Sequence, residues 1–247
     1  MNSRVIWILS QYSSSPETGP AGRHYYIARE LVEQGHTVYL ISASNHHLLH
    51  RPSLVNEKIT IFREDGVNRV LIQTRYYKHY QDKIRMFNWF LFIWRTLFLP
   101  KVIDDSPDVI IASSPSPFIF LSAKRLSKRY GSRLIFDVRD LWPLAIVGLG
   151  KYSFKNPLIQ LMQLVENKAY KESHFVSSTM PYSIDHMVHH GLDSNKFLWV
   201  PNGFDKEELL NKDKFEDCLY LQIPRNKFVI GYIGSLGLAN ATSILLK

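Results

Sequence analysis

The chain has 247 residues, 45% apolar and 21% charged, with a formal net charge of +8. Such a length and apolar content exclude a disordered chain and leave room for one large domain, or one domain with part of a second. The basic excess suits an anionic partner, whether nucleic acid, a phosphorylated small molecule or an acidic membrane surface, and the single cysteine, Cys218, excludes an internal disulfide and suits a reducing cytoplasm.

The apolar run Val5 to Leu9 is too short for a secretory signal. Met86 to Leu99, the longest greasy stretch, is broken by Asn88, Arg95 and Thr96. It falls short of the roughly 20 residues that span a bilayer. A soluble or peripheral protein is expected. No Cys/His cluster has zinc-ligand spacing, so no metal is expected either.

In chain order, Val5 to Ser10 reads as a buried strand, Gln11 to Gly22 as a loop, and the stretch from about Ala21 as a helix closed by Gly35. Val38 to Ser42 is the next strand, which completes a right-handed βαβ unit with its glycine loop at the carboxyl edge of the sheet. That loop is not G-x-G-x-x-G, and no acid follows the second strand at the usual place, which argues against a nicotinamide cofactor. Gly19 and Gly22, with Arg23 and His24 beside them, allow backbone to approach a ligand at a helix N-terminus. A tight turn with solvated Arg23 and His24 fits the same residues.

Ile59 to Phe62 and Asn68 to Thr74, around Asp65-Gly66, predict an inserted hairpin. Arg75 to Lys101 then interleaves six cations, Arg85 among them, with nine aromatic residues that include Trp89 and Trp94, against the single acid Asp82. Two readings stand open: an interfacial helix in anionic headgroups, or a helix buried against the sheet. Stacking on nucleic-acid bases is a third, but no RNP-like or OB-like pattern accompanies it.

Asp108 to Ala112 is another strand, followed by a Ser/Pro loop holding Ser114 and a helix over Phe118 to Arg129. Leu134 to Val138 is again a buried strand, and it runs out into Arg139-Asp140-Leu141-Trp142-Pro143. Ligands of open α/β sheets sit beyond the strands' carboxyl ends, so Arg139 and Asp140 are reachable there by substrate. They would otherwise pair with each other or cap the next helix. Repeated strand-helix alternation predicts an α/β fold with a Rossmann-like, doubly wound parallel sheet.

Helices over Pro157 to Lys171 and Tyr182 to His190, with strands over Phe175 to Ser178 and Phe197 to Val200, complete that unit. It ends at Pro201-Asn202-Gly203-Phe204-Asp205, where Asn-Gly predicts a turn of positive φ. Phe228 to Ile233 then reads as a new strand, Gly234-Ser235-Leu236-Gly237 as a glycine loop and Ala239 onward as a helix. The expected organisation is a domain over 1–204, a linker over 205–226 and the start of an incomplete second domain over 227–247.

The Gly-Pro-Ala-Gly-Arg-His loop with its helix, Arg139-Asp140-Leu-Trp-Pro, Val200-Pro-Asn-Gly-Phe-Asp205 and Gly231-Tyr-Ile-Gly-Ser-Leu-Gly237 together resemble family 4 retaining glycosyltransferases of GT-B fold. Among these the chain is similar to bacterial enzymes of surface-polysaccharide assembly that add sugars such as fucosamine. The resemblance implies two facing Rossmann-like domains, acceptor held mainly by the first and nucleotide-sugar mainly by the second, and transfer on the retained face without a metal ion. It places Asp140 and Arg139 in the chemistry. Gly19, Gly22, Arg23, His24, Ser114, Trp142, Asn202 and Gly203 would line the substrate cleft, and Gly234, Ser235 and Gly237 the donor phosphate loop. The implied acceptor is a lipid-linked oligosaccharide at the inner face of the plasma membrane, which gives Arg85, Trp89 and Trp94 an anionic surface to contact. Positions that grip the diphosphate and sugar in relatives lie beyond Lys247, so the chain alone is expected to be weakly active or inactive, with a second chain a conceivable source of the donor domain. The alternative is a non-enzymatic module for a phosphorylated ligand; a nucleic-acid partner is not expected.

Overall fold

The computed structural model describes residues 2–51, 55–77, 84–149, 152–203, 205, 223–224, 226–232 and 244. Eight strands form one sheet: β1 (Val5–Leu9), β2 (Thr37–Ala43), β3 (Ile59–Glu64), β4 (Val67–Ile72), β5 (Val109–Ser113), β6 (Arg133–Val138), β7 (Phe175–Ser178) and β8 (Phe197–Trp199). Between them run α1 (Arg23–Glu33), α2 (Ile84–Thr96), α3 (Ile119–Tyr130), α4 (Leu144–Gly148), α5 (Pro157–Glu172) and α6 (Ser183–His189). The strand order is β3-β4-β2-β1-β5-β6-β7-β8, parallel throughout except for β3. The chain winds outward from β1 through β2 in one direction and from β5 through β8 in the other. The switch point, and with it the crevice for ligands, falls at the carboxyl ends of β1 and β5.

Residue pattern explains this arrangement. β1 is apolar at every position because both of its faces are covered: Ile6 and Ile8 pack with Tyr25 and Ala28 of α1, Trp7 and Leu9 with the larger core beneath α2, α3 and α5. Helix α1 ends at Glu33, two residues before Gly35, whose φ of +87° closes the turn, and Gly131 at +69° does the same directly after α3. Asn156 caps α5 by accepting from the Leu158 amide at 2.9 Å, with Pro157 at the first helical position.

Two expectations change. The hairpin β3–β4 is no insertion: β4 pairs in parallel with β2 from Tyr39↔Asn68 to Ala43↔Ile72, because Val67, Val70 and Ile72 are buried as sheet core, and β3 is left as the antiparallel edge. The new strand over 228–233 is not formed at residues 228–232, which pair with no strand and leave Phe228 and Ile230 exposed.

Helix α2 is buried on one face and exposed on the other. Asn88, Trp89, Phe92 and Thr96 are buried, with Asn88 bridging the amide and carbonyl of Arg75 and Trp89 Nε1 donating to the Tyr12 hydroxyl at 2.7 Å. Trp89 therefore cannot reach a membrane. Arg85, half-buried, lies over the Tyr12 and Trp89 rings. Phe87, Phe90 and Trp94 look outward, Trp94 with 57% exposure. No helix among the described residues is long and apolar enough to cross a membrane.

The two tryptophans should separate in a urea melt. Trp89→Ala, which opens a cavity and orphans the Tyr12 hydroxyl, should cost about 3–5 kcal/mol, and Trp94→Ala under about 1 kcal/mol. Equal losses would contradict the burial.

Candidate active site

The carboxyl ends of β1, β5, β6 and β7 converge on one side chain, Asp137, on the penultimate residue of β6 and 3% exposed. It accepts four hydrogen bonds: from Arg23 Nη2 at 3.1 Å, His24 Nε2 at 2.9 Å, Ser113 Oγ at 3.2 Å and Ser177 Oγ at 2.8 Å. A carboxylate removed from water is strongly unfavourable unless its oxygens are saturated in this way. Burial alone would push the Asp137 carboxyl up; the His24 hydrogen bond, the Arg23 charge and the Ser177 hydroxyl outweigh it and hold the group well below the ordinary range. Its negative charge is matched by Arg23.

His24, 2% exposed, is held low chiefly by burial, with the positive fields of Arg139 and Arg23 adding to it against the Asp137 carboxylate. It is therefore neutral. Its Nε2 carries the hydrogen given to Asp137, and Nδ1 accepts from Ser10 Oγ at 3.2 Å. His24 was expected to face substrate; it joins the end of β1 to the end of β6 instead, so it supports the site from beneath.

Arg23 is the busiest member. Besides Asp137 it donates from Nη1 to the carbonyls of Val200 at 2.8 Å and Pro201 at 3.2 Å, and to Asn202 Oδ1 at 3.4 Å. Six residues on, Arg29 Nη1 meets Asp205 Oδ2 at 3.1 Å. Two arginines of α1 thus hold the segment that leaves β8. Asn202 and Gly203 lie there, exposed, and neither has positive φ: held straight by Arg23, the segment makes no Asn-Gly turn. A cleft of about 630 Å³ opens between α1 and this segment, lined in part by Arg23, Tyr26, Arg29, Pro201 and Gly203.

Beyond β6, Arg139 is half-buried and Asp140 exposed, and they do not pair with each other or with any charged group among the described residues. Ser114 Oγ accepts from the Arg139 amide at 2.8 Å, so it fixes the loop rather than facing solvent. Trp142 packs edge-on to Trp89 at 5.5 Å between ring centres. The Trp142–Pro143 peptide is cis.

The two loop glycines differ. A side chain at Gly19 would stand 2.9 Å from both the Leu48 carbonyl and Ser14 Oγ, so this glycine is needed for the packing of its own loop. Gly22, the N-cap of α1, has open space beside it and leaves the helix N-terminus approachable. Gly234, Ser235 and Gly237 lie outside the described residues.

Sequence reasoning missed Asp137, Ser10, Ser113 and Ser177. A signal existed for Asp137: a carboxylate inside a run read as buried strand demands partners, and three serines stand at or near neighbouring strand ends with a histidine in the first turn of α1.

Two measurements check this site. Asp137 contributes stability that is fully present above the unfolded carboxyl pKa of about 3.9 and is lost as pH falls towards its folded value of about 2. Asp137→Ala should cost about 3–5 kcal/mol by stranding Arg23 and His24. In ¹⁵N NMR at pH 7, His24 should show one protonated and one bare ring nitrogen; an imidazolium there would contradict the assignment.

The sequence model of Glycosyltransferase Family 4 matches residues 21–208, from the N-terminus of α1 to beyond the Arg23-held segment. No curated protein is a significant match. Among solved structures, sucrose-phosphate synthase from Thermosynechococcus elongatus is similar over 82% of this chain and 49% of that chain, with 10% identity and a TM-score of 0.58. A piece of the same enzyme gives 88% and 99% coverage, 10% identity and a TM-score of 0.52. Anabaena HepE, solved with UDP and glucose, aligns over 82% of this chain and 45% of that chain with 11% identity and a TM-score of 0.46. The chain thus spans about half the length of the synthase it matches, and has the Rossmann-like architecture of one half of a GT-B arrangement. With a family match covering most of its length, the chain belongs to glycosyltransferase family 4.

Proposed function

We propose that the chain is the acceptor-binding part of a retaining sugar transferase that moves a hexosyl group from a nucleotide-sugar to a lipid-linked glycan in bacterial surface-polysaccharide synthesis, at the cytoplasmic face of the membrane. Family membership supports the reaction class. One observation supports the site: Arg139 and Asp140, just past the carboxyl end of β6, have no charged partners among the described residues, whereas the neighbouring charges of Asp137 and Arg23 are paired.

In the reaction the acceptor hydroxyl oxygen bonds to the anomeric carbon, the bond from that carbon to the donor phosphate oxygen breaks, and the hydroxyl proton leaves with the departing diphosphate. Asp140 accepts the hydroxyl's hydrogen bond and orients it. Arg139 faces the diphosphate charge of the lipid-linked acceptor or of the leaving group. Neutral His24 and charge-balanced Asp137 keep the floor beneath them uncharged overall, so the field of Arg139 is not cancelled from below.

Titration of the chain with a short-chain polyprenyl-diphosphate monosaccharide tests this reading. The wild type should bind, and Arg139→Ala should weaken binding about tenfold, the worth of one charge-assisted contact. Absence of binding by the wild type, or binding by Arg139→Ala as tight as the wild type's, would contradict it.

A further inference from the structure

Helix α2 carries a second apolar face that the core does not use. Phe87, Phe90 and Trp94, spaced three and four residues apart, and Phe98 just past the helix end are 46%, 47%, 57% and 36% exposed. This is one continuous stripe. Its neighbours are cations: Arg75 lies over Phe87 at 4.4 Å and Lys101 over Phe98 at 5.4 Å. Beside its lower half, between α2 and α3, is a groove of about 400 Å³ lined by Leu97, Arg125, Leu126, Lys128 and Arg129. It has three cations and no acid, and none of the three has an ion-pair partner among the described residues.

We propose that this face docks on an anionic lipid surface, with the aromatic stripe in the headgroup region and the basic groove on lipid phosphates. Charge complementarity selects that occupant. A second copy of the chain would bring its own +8 against these cations, and a protein partner would need an acidic groove-filling segment, whereas a bilayer supplies aromatic-tolerant interface and anionic phosphate side by side. Position agrees with charge. The stripe begins beside the crevice, where Phe90 lies 5.3 Å from Phe118 and buried Trp89 meets Trp142, so a docked chain holds its open β6 end near the bilayer. The proposal deepens the reading of a lipid-linked acceptor and rests on it for its purpose.

Vesicle flotation tests it without any transfer reaction. The chain should float with phosphatidylcholine vesicles containing phosphatidylglycerol and not with phosphatidylcholine alone, and salt should release it. Arg125→Gln and Lys128→Gln should each lower partitioning about fivefold. Trp94→Ala with Phe98→Ala should lower it tenfold or more, on the order expected for two aromatic anchors, with the thermal midpoint of each variant reporting an intact fold. No flotation at low salt, equal flotation on neutral vesicles, or a dimer in sedimentation that Trp94→Ala dissociates would each overturn the proposal. Loss of flotation with retained binding of the polyprenyl analogue would overturn docking alone, and the reverse would overturn the acceptor reading alone.

Discussion

The structure depends on one buried carboxylate. Asp137 lies near the carboxyl end of β6, and its four donors come from three other pieces of chain: two successive residues of α1, the end of β5 and β7. An ion of this kind is tolerated only while all of its partners are in place. The same demand that makes it hard to bury therefore fixes the relative positions of the strand ends, and so the floor of the crevice at the switch point between β1 and β5. His24 stays neutral chiefly because it is buried, with the charges of Arg139 and Arg23 adding to that. The hydrogen bond on to Ser10 then settles which ring nitrogen faces Asp137.

From this anchor the constraint passes outward. Arg23 has its guanidinium divided between Asp137 and the Val200 to Asn202 segment. A planar fork of five donors can serve a buried carboxylate and two main-chain carbonyls at once, which a lysine could not. The floor of the crevice and the exit of the chain from the sheet are thereby one mechanical unit, and Arg29 with Asp205 extends it. Arg139 and Asp140 follow Asp137 by two and three residues, half-buried and exposed, with no charged partner among the described residues.

Much of the fold was legible because strands buried on both faces and helices with one apolar stripe leave plain marks: β1, β5, β6, α3 and α5 all lie within a few residues of where their patterns put them. The hairpin was legible as a hairpin, but its joining the sheet was not, since parallel pairing of β4 with β2 is a long-range event without a local signature. In the site, the glycine loop and the Arg-Asp pair were visible as motifs. Their division of labour was not: spacing cannot distinguish a histidine that faces ligand from one that donates to a carboxylate 113 residues away. Asp137 itself was hidden by its apolar neighbours Phe136 and Val138. Trp89 and Trp94 show the same limit, because five residues apart on an aromatic-rich helix either could be the buried one.

The most direct test of the Asp137–Arg23 linkage is amide hydrogen exchange in the Arg23→Ala variant, read at Val200, whose amide donates to the Ser178 carbonyl at 2.9 Å, and at β1, β5 and β6. If the guanidinium ties the exit segment to the buried carboxylate, protection at Val200 falls while the central strands keep theirs relative to the variant's own global stability. Exchange at Val200 unchanged from the wild type would contradict the account, because the segment would then be held by something other than Arg23.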